Sequence, residues 1–278
     1  MTLLMAFTAG VAYLLATLHG SAPARWPSVA LLVGWVVHGV ALAMDIAGVG
    51  SVAGHARFGF APALSGAVWL VLAVHAVESR FVPLPGVRRV LAAMGVVVCG
   101  LLAFFPGEIP LKAASPLVPL HLLLGIASYG LFGAAVIHGV MLDSAERAMR
   151  LKPGSAGAHA GMGGLGAGTA PAALFGLPLL RLERLTFRFV EAGFVVLSLA
   201  LLLGIVASAL GHAAWRWDHK TVFSFMGWGT FALLLVGRHL RGWRGRRATR
   251  WLYVGALLLV LAYIGSRFVV EVVLQRAN

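Results

Sequence analysis

The chain has 278 residues, 60% of them hydrophobic and only 11% charged, against the roughly one-quarter charged residues that keep a soluble domain wet. Its net charge of +13 would suggest nucleic acid in a soluble protein. Here, however, the basic residues sit between long apolar runs with no RNA-binding aromatic motif, so nucleic acid is not an expected partner. The one cysteine, Cys99, lies inside an apolar run, which excludes disulfides, Cys-x-x-Cys redox chemistry, covalent haem attachment and thiolate zinc sites.

About 20 consecutive apolar residues in a helix cross a bilayer core, and the apolar runs predict eight such spans. In chain order they are Thr2–Leu18, Ser28–Gly48, Pro62–Val77, Arg88–Phe105, Leu117–Leu142, Thr186–Leu210, Thr221–Gly237 and Trp251–Val273. Proline, glycine and charged clusters separate them, as in Val82-Pro83-Leu84-Pro85-Gly86 and Phe105-Pro106-Gly107-Glu108. Met1 to Ala6 has no basic leader region, so the first run reads as a retained helix. The expected fold is therefore all-α, a polytopic membrane helix bundle forming one domain over residues 1–278 with no internal repeat. Residues 153–180, with their Gly- and Ala-rich stretch from Pro153 to Pro178, read as a flexible cytoplasmic loop.

Charge alternates between successive loops. Sixteen of the 22 lysines and arginines flank the first, third, fifth and seventh loops, and the seventh carries Arg238, Arg241, Arg244, Arg246, Arg247 and Arg250. The positive-inside rule puts those loops in the cytoplasm and both termini outside a bacterial inner membrane. An even number of spans agrees with that.

Polar residues then sort by depth. Asp45, His55, His121, Arg267, Glu271 and the run Trp215-Arg216-Trp217-Asp218-His219-Lys220 lie toward the outer surface. His19, His75, His138 and His239 lie toward the inner surface, where a headgroup location suits them. His38 is near mid-membrane, where histidine needs a partner or a cavity. An interhelical hydrogen bond and a ligand role both fit it. Arg267 and Glu271, four residues apart, are expected to pair.

Trp215 to Lys220 form the densest polar segment. Tryptophans at this depth serve as interfacial anchors. Their indole faces could also shelve a flat apolar ring, with Arg216 and Lys220 meeting its anionic edge. His219 could supply an imidazole nitrogen to a metal, and His121 offers a second at the same depth. Two axial histidines with an aromatic shelf would make a haem site.

At these residues the sequence resembles the membrane haem-handling family of cytochrome c assembly, the CcsA, CcmC and CcmF type, and within it the short eight-helix YpjD-like and HemX-like branch. Ser115-Pro116-Leu117-Val118-Pro119-Leu120-His121, continuing through Tyr129 and Gly130, is similar to the helix bearing that family's first external haem histidine. Trp215 through Thr221, continuing to Trp228, is similar to a reduced form of the family's tryptophan-rich segment. Arg238, Gly242-Trp243-Arg244-Gly245 and Tyr263-Ile264-Gly265 match its last loop and helix. Glu183-Arg184-Leu185 and His38 look like the YpjD-like branch. The resemblance runs from about Ser115 to the end of the chain.

The departures are specific. The family's second external histidine falls near Leu274, its intramembrane histidine near Val236, and the proline after the tryptophan-rich aspartate is His219. The resemblance implies a non-catalytic haem-binding protein of cytochrome c-type biogenesis. His121 and His219 are the candidate iron ligands, and Trp215, Arg216, Trp217, Asp218, Lys220 and His38 complete the site. Its partners would be the lipid bilayer, haem, and other cytochrome-assembly or haem-synthesis proteins, the latter if it acts as a membrane regulator. The alternative is a permease whose pathway is lined by Asp45, His38, Arg267 and Glu271.

Overall fold

The computed structural model describes residues 2–18, 26–46, 57–79, 85–105, 109–110, 117–150, 179–210 and 217–273. The elements in order are α1 (Thr2–Thr17), α2 (Trp26–Ile46), β1 (Arg57–Phe58), α3 (Phe60–Glu78), α4 (Pro85–Phe104), β2 (Ile109–Pro110), α5 (Leu117–Arg150), α6 (Leu179–Leu210), α7 (His219–Arg241) and α8 (Gly245–Val260). The last helix continues through a π turn at Leu261–Gly265, the short α9 (Ser266–Phe268) and a second π turn at Val269–Val273. Apart from an antiparallel bridge pairing Arg57 with Pro110 and Phe58 with Ile109, the described architecture is a helix bundle.

Seven of these helices are long and apolar enough to span a membrane. The eighth, α1, has 16 residues, about 24 Å at 1.5 Å per residue, short of a core roughly 30 Å thick. It packs against α2 and α4. All eight expected spans correspond to helices, but four ends differ by more than three residues: the seventh helix runs on to Arg241 and the eighth begins at Gly245. The fifth runs on to Arg150, and the sixth begins at Leu179, so Leu179 and Leu180 are helical. Charged residues there read as loop although the helix continues beyond the apolar stretch. Asp143 on that extension accepts hydrogen bonds from Thr249 Oγ1 and Tyr253 Oη, both 2.9 Å. Residues 151–178, most of the expected loop, lie outside the described residues.

The bundle has two halves, each with its own core. Tyr13, Leu31, Val68, Leu91 and Val98 centre the α1–α4 half; Phe132, Phe187, Val190, Phe231 and Leu252 centre the α5–α8 half. The halves meet where α3 packs on α5 and on the first π turn. Close backbone approach, which drives association where lipid is as apolar as the side chains, is clearest around Tyr13. A Cβ on Gly34 or Gly95 would come within 2.8 or 2.6 Å of its ring. Trp35 and Trp69 bind α2 to α3: their rings stack at 4.8 Å, and each indole Nε1 donates to the other's backbone carbonyl, at 3.1 and 2.9 Å.

The α7–α8 connection is a tight turn. Gly242 closes α7 at φ +62°, its N–H bonded to the carbonyl of Gly237, and Gly245 at φ +54° starts α8. Both angles lie in the left-handed region that glycine adopts without a Cβ clash. At this end Glu183 of α6 pairs with Arg238 at 3.0 Å, and the same guanidinium lies 3.8 Å over the Phe187 ring.

Candidate functional site

Among the described residues, a cavity of about 310 Å³ opens at the end of the bundle where α5 and α7 begin. Its walls are α5 (His121, Gly125, Tyr129), α6 (Ala200, Gly204, Ser208), the first turns of α7 (Lys220, Thr221, Ser224, Phe225) and the C-terminal helix (Leu259, Ala262, Tyr263).

His121 stands one turn into α5, just after Pro119, which suits a first helical turn because its missing N–H has no partner to lose there. Its Nδ1 lies 2.7 Å from the carbonyl oxygen of Ala200. A carbonyl can only accept, so Nδ1–H is the donor, and in the neutral ring Nε2 keeps the lone pair. The imidazole is seated by small residues on α6. A methyl on Gly204 would lie 2.9 Å from His121 Cε1 and 3.1 Å from Nδ1, so glycine is required for the ring to lie there. Ala200, Gly204 and Ser208 recur every fourth residue along the cavity face of α6, a ladder of small residues visible in the sequence but not singled out there.

The π turn shapes the opposite wall. Tyr129 Oη donates to the carbonyl of Leu259 at 2.8 Å, in the turn before the helix widens to i→i+5 spacing at Leu261. Such bulges need a side chain to take up backbone groups displaced from the regular ladder. The ordinary i, i+4 argument for Arg267 and Glu271 does not carry across Val269–Val273, which is also π. The Glu271 side chain lies outside the described residues, and Arg267 Nε is buried without a hydrogen-bond partner.

The tryptophan-rich segment divides. Trp215 and Arg216 lie outside the described residues. Trp217 is 71% exposed, its ring 6.2 Å from that of Phe225, which lines the cavity. Asp218 is the N-cap of α7. Its carboxylate accepts from Thr221 N and Thr221 Oγ1, both at 2.9 Å. Partial burial works against ionisation, yet those bonds and the neighbouring Lys220 and His219 hold the carboxyl below its ordinary pKa. His219, the first residue of α7, is exposed; it does not line the cavity, whereas Lys220 does. The site thus brings His121 and Lys220 to one cavity and leaves His219 outside it.

His38 is fully buried elsewhere, with both ring nitrogens engaged: Nδ1 with Tyr13 Oη at 3.1 Å and Nε2 with Ser65 Oγ at 2.6 Å. The geometry gives it the interhelical hydrogen-bonding role and leaves no nitrogen for iron or for a permeation path. Of the histidines expected in a headgroup location, His239 is exposed, whereas His75 and His138 are packed inside the bundle at 4% and 5% exposed. His138 Nδ1 donates to Ala134 O at 2.8 Å, and its Nε2 lies 3.2 Å from Glu78 Oε1. His19 and His55 lie outside the described residues. No group of three or more His, Cys, Asp or Glu that could hold a metal ion occurs among the described residues.

The sequence profile of the cytochrome C assembly protein family matches residues 1–274. The chain belongs to that family. The match extends the likeness, traced above from Ser115 onward, back through the α1–α4 half. The chain is 29% identical over 252 residues to the cytochrome c biogenesis protein CcsA of Gloeobacter violaceus, covering 73% of this chain and 72% of the relative. To the CcsA of Parasynechococcus marenigrum it is 27% identical over 216 residues, covering 71% and 69%. The inner membrane protein YpjD of Escherichia coli is 36% identical over 98 residues, 34% of this chain and 36% of that one. This family member is a multi-pass membrane protein of cytochrome c biogenesis.

Proposed function

We propose that this protein binds haem at the cavity between α5, α6, α7 and the C-terminal helix, with His121 Nε2 as an iron ligand. It would handle haem for cytochrome c-type assembly in a bacterial inner membrane without catalysing a reaction of its own. The observation that carries the reading is the Nδ1–H···O=C bond from His121 to Ala200. Metal-ligating histidines characteristically donate their other ring N–H to a carbonyl or carboxylate, which fixes the tautomer and aims the free nitrogen.

The other residues fit the same ligand. The cavity, about 310 Å³, is at the lower end of the roughly 300–1,000 Å³ range of small-molecule sites, room for part of a macrocycle. Phe225 and Trp217 offer aromatic surface at that rim. Lys220 and the positive N-terminal end of α7 favour carboxylates. Haem would bring a metal centre able to take an axial imidazole; the protein supplies the oriented nitrogen, the apolar walls and the cation. His219 is not carried into the proposal, because it stands outside the cavity lining. In this reading the cavity end, with both termini, faces outward and the arginine-rich end faces the cytoplasm.

The test is the visible spectrum of the detergent-purified, haem-replete protein. A Soret band that sharpens on reduction, and is lost in His121→Ala, is expected. No Soret absorbance would overturn the proposal. A band that survives His121→Ala but disappears in His38→Ala would place haem inside the membrane instead.

A further inference from the structure

At the opposite end of the bundle, positive charge exceeds what the fold neutralises. Arg241, Arg244, Arg246, Arg247 and Arg250 are all exposed on the α7–α8 turn and the first turns of α8. The acids beneath them have other engagements. Glu183 holds Arg238 at 3.0 Å, with Arg244 Nε at 3.8 Å. Asp143 takes Thr249 and Tyr253. Glu146 reaches the turn from α5, its Oε1 3.1 Å from where a Gly245 methyl would stand.

The turn is also built to stay put. Gly242 and Gly245 fix its path. Trp243 is 7% exposed, stacked on Trp251 at 6.0 Å, with the Arg247 guanidinium 4.4 Å over its ring. The benzo edge of that indole, Cε3 and Cζ3, lies against Gly237. The other edge carries Nε1, which is buried in the turn without a hydrogen-bond partner. Helix α8 then begins with no side-chain cap and no acidic residue in its first turn, leaving an N-terminus that favours an anion.

The neighbouring surface identifies the kind of anion. Val236 and Leu240, one helical turn apart on α7, are 52% and 80% exposed, and Val254 and Leu257 on α8 are 47% and 59% exposed. Apolar side chains so exposed on membrane-length helices face hydrocarbon, and the arginines sit where that surface ends. We infer that the α7–α8 turn binds the phosphodiester head group of an anionic phospholipid whose acyl chains lie along Val236 and Leu240. The guanidiniums of Arg241, Arg246 and Arg250 contact the phosphate oxygens. This surface is separate from the His121 cavity and does not depend on the haem reading.

The full chain, purified and delipidated in detergent, would be titrated with phosphatidylglycerol and with phosphatidylcholine while bound lipid is counted by native mass spectrometry. A clear preference for phosphatidylglycerol that weakens with salt is expected. Arginines near a bilayer surface contribute about fivefold each, so Arg241→Gln/Arg246→Gln/Arg250→Gln should reduce the preference by on the order of a hundredfold. Arg181→Gln/Arg184→Gln/Arg188→Gln, with the same loss of charge on α6, should reduce it far less. Arg246→Gln alone, at an exposed position, should reduce the preference about fivefold even if the triple variant folds poorly. Equal retention of both lipids by the natural protein, equal losses in the two triple variants, or the same thermal stabilisation by inorganic phosphate alone would each overturn the inference.

Discussion

Gly204 lies one helical turn beyond Ala200 on α6, and a methyl group on it would stand 2.9 Å from His121 Cε1. Gly204→Ala must therefore displace the imidazole or strain α6, at a cost of about 1–3 kcal/mol, as for other overpacked sites. Haem affinity should fall about tenfold for each 1.4 kcal/mol so lost. Gly125→Ala, in the same cavity but with nothing within 4 Å of the added methyl, should retain haem normally. Haem titration of the two variants checks this, and equal retention by both would remove the seating role of Gly204.

His38 and His121 should part company under substitution. His38→Ala leaves Tyr13 Oη and Ser65 Oγ without their partner, so it should lower thermal stability by about 1–3 kcal/mol per stranded group while the Soret band remains. His121→Ala should remove the band with a smaller stability loss, and exposed His239→Ala should change neither. Absorbance spectra and thermal melts of the three variants, recorded side by side, decide it.

Asp218 gives a pH signature. Its folded-state pKa is depressed, so its capping contribution is complete above the ordinary carboxylate range. That contribution is lost as pH falls through the depressed value. Asp218→Ala should cost about 1 kcal/mol near neutral pH, and the gap between natural and variant melting curves should close in acid. A gap that persists unchanged below the carboxylate range would show that the cap is not the source.

Glu183 and Arg238 are 14% and 21% exposed at the side chain. Removing one of a mostly buried pair leaves an uncompensated charge, typically about 3–5 kcal/mol. Glu183→Ala should therefore harm melting temperature or yield more than Glu183→Ala/Arg238→Ala does. A double-mutant cycle with strictly additive losses would show that the two charges do not support one another.

Orientation is open to direct assay. Reporters fused after Arg247 or within residues 153–178 should read cytoplasmic, and those after Lys112 or Asn278 external. An external signal from the Arg241–Arg250 turn would invert the bundle and move the His121 cavity to the cytoplasmic side.

Much of this architecture was legible in the residue pattern, because a bilayer asks little more of a sequence than length and apolarity. The apolar runs located each of α1 to α8. The ends of α5, α6, α7 and α8 on the arginine-rich side were missed for the same reason. Beyond the bilayer those helices continue on hydrogen bonds such as Thr249 to Asp143, which leave no hydropathy signal. In the site, His121 stood out by residue type and depth. Its partner did not, since a backbone carbonyl such as that of Ala200 has no signature in sequence. Nor do the Tyr129–Leu259 bond and the π turns beside it, where helical register alone changes. His219 was the natural second histidine by depth, but depth says nothing about the direction around the bundle, and it lies outside the cavity wall.

The indole exchange between Trp35 and Trp69 bears on how the molecule is made. Both residues, with the Tyr13–His38–Ser65 chain beside them, lie within the first three helices. Chains emerge from the ribosome N-terminus first, so this clasp can close before α5 has been synthesised. The helices that supply most of the cavity wall, α5 to α8, all follow it in the chain, so synthesis can reach them with this part of the α1–α4 half already paired.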